Sequence, residues 1–119
     1  MEDFEASLQD FIREFEACQP VLEAIGYPTR LAILEFLIQN SGDGGMRVHQ
    51  IQESTHLSRP AVSHHLKILK EAGVIAMRKE QTKTYYYLDA DSTTLLRTAE
   101  FWKQVIPMMQ HCRHRKENV

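Results

Sequence analysis

The sequence predicts a mainly α domain carrying one small β-hairpin, in the order α-α-α-α-β-β-α. Two observations carry this. Apolar residues recur at helical spacing before and after residues 74–89. Within 74–89, the Tyr85-Tyr86-Tyr87 run and its neighbours have strand-forming composition. The length of 119 residues is that of a single domain, 1–119, large enough to bury a core without disulfides. Hydrophobic residues make up 43% and charged residues 25%, which argues against disorder. No apolar run approaches the roughly 18 residues of a membrane span. The acidic start MEDFE is no secretory signal, and two cysteines are too few for a disulfide framework. A cytoplasmic protein without a membrane partner is expected.

The first helix should run from about residue 3 to Cys18 and stop near Pro20, with Phe4, Leu8, Phe11, Ile12 and Phe15 as its apolar stripe. Gly26-Tyr27-Pro28 breaks the chain. Thr29 can cap a second helix whose face is Leu31, Leu34, Leu37 and Ile38. Asn40 to Gly45 reads as a loop. Val48 to Thr55 suits a short helix with few apolar positions. A tight turn at His56-Leu57 follows, and then a helix capped by Ser58 that tolerates Pro60 in its first turn and stops at Gly73.

On that helix Ala61, Val62, His65, Leu66, Ile68, Leu69 and Ala72 share one broad face. Pro60, Ser63, His64, Lys67, Lys70 and Glu71 share the other, which is polar and basic. Strands Val74–Lys79 and Thr84–Leu88 should flank a tip at residues 80–83. Asp91 or Ser92 caps a last helix with the stripe Leu95, Ala99, Trp102, Val105, Ile106 and Met109. Pro107 should kink or loosen it, and the tail from His111 should fray.

Net charge is −2, yet its distribution is uneven: residues 1–28 carry −6, 29–57 carry −1, 58–83 carry +4 and 84–119 carry +1. A basic stripe inside an acidic chain is an electrostatic footprint for a polyanion. Two short helices joined by a tight turn, followed by a basic hairpin, form a unit suited to reading double-stranded DNA. A helix fits the major groove, where each base pair shows its own donor and acceptor pattern. The hairpin can lay Arg78, Lys79 and Lys83 along phosphates or into the minor groove.

The segments GYPTRLAILEFL, LSRPAVSHHLKILKEAGVI and RKEQTKTYYYLD resemble the ArsR/SmtB family of winged helix-turn-helix repressors over about residues 21–90. The resemblance implies a helix-turn-helix at 46–73, a wing at 74–89, and a homodimer packed through helices in 1–20 and 91–112. It implies binding to imperfect palindromic operators, with release by an inducer. It places Ser58, Arg59, Pro60, Ser63, His64 and Lys67 at the DNA. In that reading Ser63 donates to a phosphate or base edge, His64 sets specificity, Arg59 reads guanine or pins a phosphate, and Lys67 and Lys70 attract phosphates. His65, on the buried side, is structural. The wing tip is Glu80-Gln81-Thr82 where the family often has glycine, which points to a wider tip or less entry into the minor groove. The tyrosine run should pack the wing onto the domain.

The family's two common metal sites are missing. MRVHQIQEST lacks the C-x-C run, and the four last-helix ligand positions are occupied by Ala90, Ser92, Lys103 and Ile106. What remains is Cys18, with His111, Cys112 and His114. These residues are open to three readings: ordinary small or solvated side chains, a thiol or redox sensor built on Cys18 and Cys112, or soft ligands for a thiophilic metal ion. No phosphate loop or nucleophile–base pair suggests an enzyme. The competing class is a winged-helix module that docks proteins rather than DNA; it would want an apolar or acidic outer face on residues 58–71.

Overall fold

The computed structural model describes residues 2–117 of the chain, and the side chains of residues 6–113. Helix α1 spans Glu2–Ile25, α2 Pro28–Gln39, α3 Val48–Thr55 and α4 Arg59–Glu71. Strands β1 (Ile75–Glu80) and β2 (Lys83–Leu88) form an antiparallel hairpin, and α5 spans Thr93–Glu117. No described helix is long and apolar enough to cross a membrane.

The core gathers one face from every element between α1 and β1. Val21 and Ala24 of α1 meet Ile33 and Leu37 of α2, Ile51 of α3, and Val62, Leu66 and Leu69 of α4, with Met46, Val74 and Ile75 closing the cluster. Burying a large aliphatic side chain stabilises by about 1.5–3 kcal/mol, so these positions decide how α4 is seated.

Several boundaries differ from expectation. Helix α1 does not stop at Pro20 but runs through it, because the stripe that buries Cys18 before the proline continues inward with Val21 and Ala24 beyond it. Two carbonyls of its last turn are taken by Arg30, whose Nε donates to Ala24 O at 2.5 Å and whose Nη2 donates to Glu23 O at 3.3 Å. Tyr27, not Thr29, is the N-cap of α2, with Pro28 opening the helix. The inward face of α2 is Ile33 and Leu37, while Leu31 and Ile38 point to solvent. The Asn40–Gly45 loop contains a single 3-10 turn at Ser41–Asp43. The chain from His111 to Glu117 continues α5 as helix rather than fraying.

At the end of α4, Gly73 takes φ +80°, Gly73 N–H donates to Lys70 O and Val74 N–H donates to Leu69 O, the Schellman pattern that turns the chain into β1. At the start of α5, Ser92 caps the helix, its Oγ accepting from Leu95 N–H at 3.2 Å.

Helices α1 and α5 run antiparallel. Glu14 and Arg97 form a bidentate ion pair at 2.6 and 2.8 Å, and Phe101 packs its ring against Phe11 and Phe15 with centroids 6.5 and 5.6 Å apart. The expected α5 stripe proves to be divided. Phe101 and Thr98 are buried, whereas Trp102, Ile106 and Met109 are 43%, 52% and 47% exposed. The helix thus carries a second apolar face that α1 does not cover.

Candidate nucleic-acid interface

Helix α3, the turn at His56-Leu57 and helix α4 form a helix-turn-helix. His56 caps α3 in the left-handed region, φ 59°, with its N–H on Gln52 O at 2.8 Å. Ser58 begins α4, its Oγ accepting from Ala61 N–H at 3.2 Å. Val62, Leu66 and Leu69 anchor the inner face, so Ser63, His64, Lys67 and Lys70 are forced outward, and all four are exposed. Arg59 and Pro60 are exposed in the first turn. Among the described residues these cations make one ion pair, Lys67 Nζ to Glu71 at 4.0 Å, solvent-exposed and of little energetic weight.

His65 stays on the protein side. Arg30 Nη1 lies 3.3 Å from its Nδ1, and Tyr27 stacks on its ring at 5.6 Å. Partial burial first, and then the charges of Arg30 and His64, lower its pKa below the ordinary value of 6.5. The expected structural role of His65 fits these contacts.

The wing is fixed by more than its own pairing. Met46 and Tyr86 exchange two backbone hydrogen bonds, each 2.8 Å, so the segment before α3 adds a bridge to β2. Gly45 permits this with φ +123°; a Cβ there would lie 2.6 Å from Tyr86 O. Strand Lys83–Leu88 starts one residue earlier than expected, and β1 runs to Glu80. Glu80 pairs with Lys83 across a two-residue turn in which Gln81 takes φ 58°. The tip is therefore tight, not widened: Gln81 adopts the conformation that glycine would favour.

Lys79 and Lys83 are exposed on the wing. Arg78, half-exposed on the same wing, is braced by the protein through part of its guanidinium. It donates to Gly44 O at 2.8 Å and to Glu80 Oε1 at 2.9 Å, and it lies over the Tyr85 ring at 5.0 Å. Only Tyr86 of the tyrosine run packs against the core; Tyr85 and Tyr87 hold Arg78 on the opposite face. The sequence reading missed Arg47, His49, Thr82 and Thr84, which line one cleft with Arg59. Their proximity is created by the hairpin folding back on α3, and no local pattern announces it.

The proposed sensing set is not assembled within one protomer. Cys18 is a buried free thiol and Cys112 a half-buried one. Cys18 lies beyond Glu14, and Cys112 beyond Arg97, in opposite directions along the antiparallel pair. At the helical rise this separates them by roughly 28 Å, against the 7 Å or so between Cα atoms that a disulfide tolerates. His111 is exposed near Cys112, and the side chain of His114 lies outside the described residues. Among the described residues no three His, Cys, Asp or Glu side chains gather as a metal site.

A helix-turn-helix with an outward cationic helix and a braced hairpin defines the winged helix-turn-helix class of transcriptional regulators, which bind DNA and are not enzymes. Residues 27–76 match the family described as bacterial regulatory protein, arsR family. The chain is 40% identical over 80 residues to an HTH-type transcriptional regulator of Methanocaldococcus jannaschii, covering 67% of this chain and 86% of that one. It is 39% identical over 82 residues to the transcriptional repressor SdpR of Bacillus subtilis, covering 69% and 83%. Among solved structures it is similar to reduced HlyU from Vibrio cholerae, with TM-score 0.62, 26% identity and coverage of 78% and 90%. It is also similar to a homodimeric winged helix-turn-helix DNA-binding domain from Mycobacterium bovis, with TM-score 0.54, 26% identity and coverage of 96% and 93%. The chain belongs to the ArsR family of transcriptional regulators.

Proposed function

We propose that the chain is a cytoplasmic, homodimeric repressor that holds an imperfect palindromic operator and leaves it when an inducer binds. In this reading α4 enters the major groove, with His64 and Ser63 at base edges, Arg59 at guanine or a phosphate, and Lys67 and Lys70 on phosphates. Lys79 and Lys83 of the wing follow the backbone. Two such helices would sit about 34 Å apart, in successive major grooves.

The observation that carries the reading is the outer face of α4. Ser63, His64, Lys67 and Lys70 are exposed together, while the same helix buries Val62, Leu66 and Leu69 behind them. A protein-docking module would want an apolar or acidic surface there. Dimerisation is supported by the uncovered face of α5, where Trp102, Ile106 and Met109 are exposed, with Ile12 and Phe15 exposed on α1, and by the homodimeric M. bovis relative. Such a patch is costly to leave in water.

The test is operator selection from a random-sequence duplex pool, followed by affinity measurement on His64→Ala/Lys67→Ala. Affinity for the selected duplex should collapse while sedimentation still gives a dimer. Retained affinity would remove α4 as the reader. For the inducer, Cys18→Ser and Cys112→Ser are compared with the wild type under oxidant, polysulfide and thiophilic metal ions. The separation within a protomer leaves a bridge between protomers as the form a thiol sensor would take.

A further inference from the structure

Most arginines with described side chains have a protein partner. Arg13 pairs with Asp10, Arg30 with Ala24 O and Glu23 O, Arg78 with Glu80 and Gly44 O, and Arg97 with Glu14. Arg113 is also engaged. Arg47 and Arg59 are the exceptions: among the described residues neither guanidinium has a hydrogen-bond or ion-pair partner. These two are not scattered. They line the same cleft, about 110 Å³, together with His49 and the wing threonines Thr82 and Thr84.

Like charges converging on a concave surface repel one another, and a carboxylate would ordinarily be found among them. Among the described residues no acidic side chain lines this cleft. Each guanidinium carries a fork of donors matched to a tetrahedral oxyanion, and the threonine hydroxyls and the imidazole add further donors. Three chain segments meet there: the entry to α3, the first turn of α4 and the wing turn.

We infer that Arg47, His49 and Arg59, with the hydroxyls of Thr82 and Thr84, form a seat for one phosphate group, filled by a backbone phosphate of the duplex between the major-groove helix and the wing. This rests on the DNA-binding reading above and extends it to Arg47, His49, Thr82 and Thr84. The seat explains why the wing is tied so firmly to the segment before α3. Met46–Tyr86 pairing holds Thr84 and Arg47 in fixed relation. A phosphate bound there would set the register of the duplex without reading its sequence.

The experiment has two arms and needs no known operator. In the first, the full chain is titrated with an arbitrary duplex over a range of salt, as wild type, Arg47→Gln and Arg47→Lys. Loss of one phosphate contact should make the slope of log K against log salt shallower by about 0.9 per protomer. Arg47→Lys should keep the slope and lose affinity, because it retains the charge without the fork. An Arg47→Gln slope equal to the wild type's overturns the inference. In the second arm, inorganic phosphate is titrated at constant ionic strength while the Nε–H signals of Arg47 and Arg59 are followed by NMR. Saturable shifts of both, lost in Arg47→Gln, support the seat. Such shifts with an unchanged duplex slope overturn the backbone assignment in favour of free phosphate.

The two readings fail separately. If His64→Ala/Lys67→Ala abolishes selective binding while Arg47→Gln leaves the slope intact, the seat falls and the α4 reading stands. If the slope changes while the α4 variant still discriminates its operator, the seat stands and the α4 reading falls. Circular dichroism of each variant identifies any loss of fold, and Arg47→Lys keeps the test open should Arg47→Gln not fold.

Discussion

Arg30 Nη1 of α2 stands 3.3 Å from His65 Nδ1 of α4, while the same guanidinium covers the Tyr27 ring at 4.7 Å and donates to two carbonyls at the end of α1. One side chain therefore ties the helix that packs on α5 to the helix expected to read DNA. The contact needs an unprotonated Nδ1, so the neutral ring carries its proton on Nε2. His64, the neighbouring residue, has its ring 5.7 Å from that of His65 and faces out. Replacing Arg30 with Met should leave the α1 carbonyls Ala24 O and Glu23 O without this donor and loosen the roll of α4. Operator discrimination should fall more than affinity for arbitrary duplex, which competition binding measures.

The same contact fixes a pH dependence. The folded pKa of His65 is lowered, through burial first and then the positive charges of Arg30 and His64. Above the unfolded value near 6.5 both states hold the ring neutral, and its contribution to stability is fully present. Below that value the unfolded chain binds a proton that the folded chain resists, so stability falls until pH passes the folded pKa. Urea unfolding across this range should show a steeper loss toward acid pH in the wild type than in His65→Gln. Equal slopes would mean the ring is not held neutral by the fold. The exposed Glu14–Arg97 pair adds a separate loss at lower pH, because the hydrogen bond and charge of Arg97 lower the Glu14 pKa below 4.5.

Gly45→Ala should detach the wing. Its Cβ would meet Tyr86 O at 2.6 Å, and its φ of +123° is strained for any side chain. A strained backbone of this kind costs on the order of 1–3 kcal/mol. Thermal denaturation should show the loss, and hydrogen exchange should show faster opening at Met46 and Tyr86. Unchanged protection there would show that the bridge does not depend on glycine.

Leu69→Ala should destabilise the domain by about 2–5 kcal/mol, the usual range for a leucine removed from a packed interior. Leu69 is fully buried and sits behind the outward lysines of α4. Denaturant midpoints measure this, and a cost under about 1 kcal/mol would mean the site collapses around the smaller residue.

Trp102→Asp or Ile106→Asp should give a monomer by sedimentation, because the uncovered face of α5 would then place a charge in a dry interface. A wild type that already sediments as a monomer at micromolar concentration would contradict the dimeric arrangement.

Much of this was legible in the chain because local signals agreed with one another. Ser58, Gly73 and the 3.6-residue spacing of Val62, Leu66 and Leu69 all specify the same helix, and the structure places it there. The Tyr85-Tyr86-Tyr87 strand was equally plain. What could not be read was tertiary. Pro20 is an ordinary helix stop, but burial of Val21 and Ala24 outweighs its missing hydrogen bond. Gln81 gave no sign that it would take a left-handed turn. No local pattern announces that Arg78 also donates to Gly44 O, thirty-four residues away. Arg47 and Arg59 are twelve residues apart, and only the folded hairpin brings both to one cleft.

The account depends most on the outward face of α4. The direct test is the affinity of the protein for its selected operator, compared between wild type and His64→Ala/Lys67→Ala at matched salt, with both confirmed as dimers. The account predicts that the variant falls to the affinity of the wild type for arbitrary duplex. A variant that still prefers the operator as strongly as the wild type would contradict it.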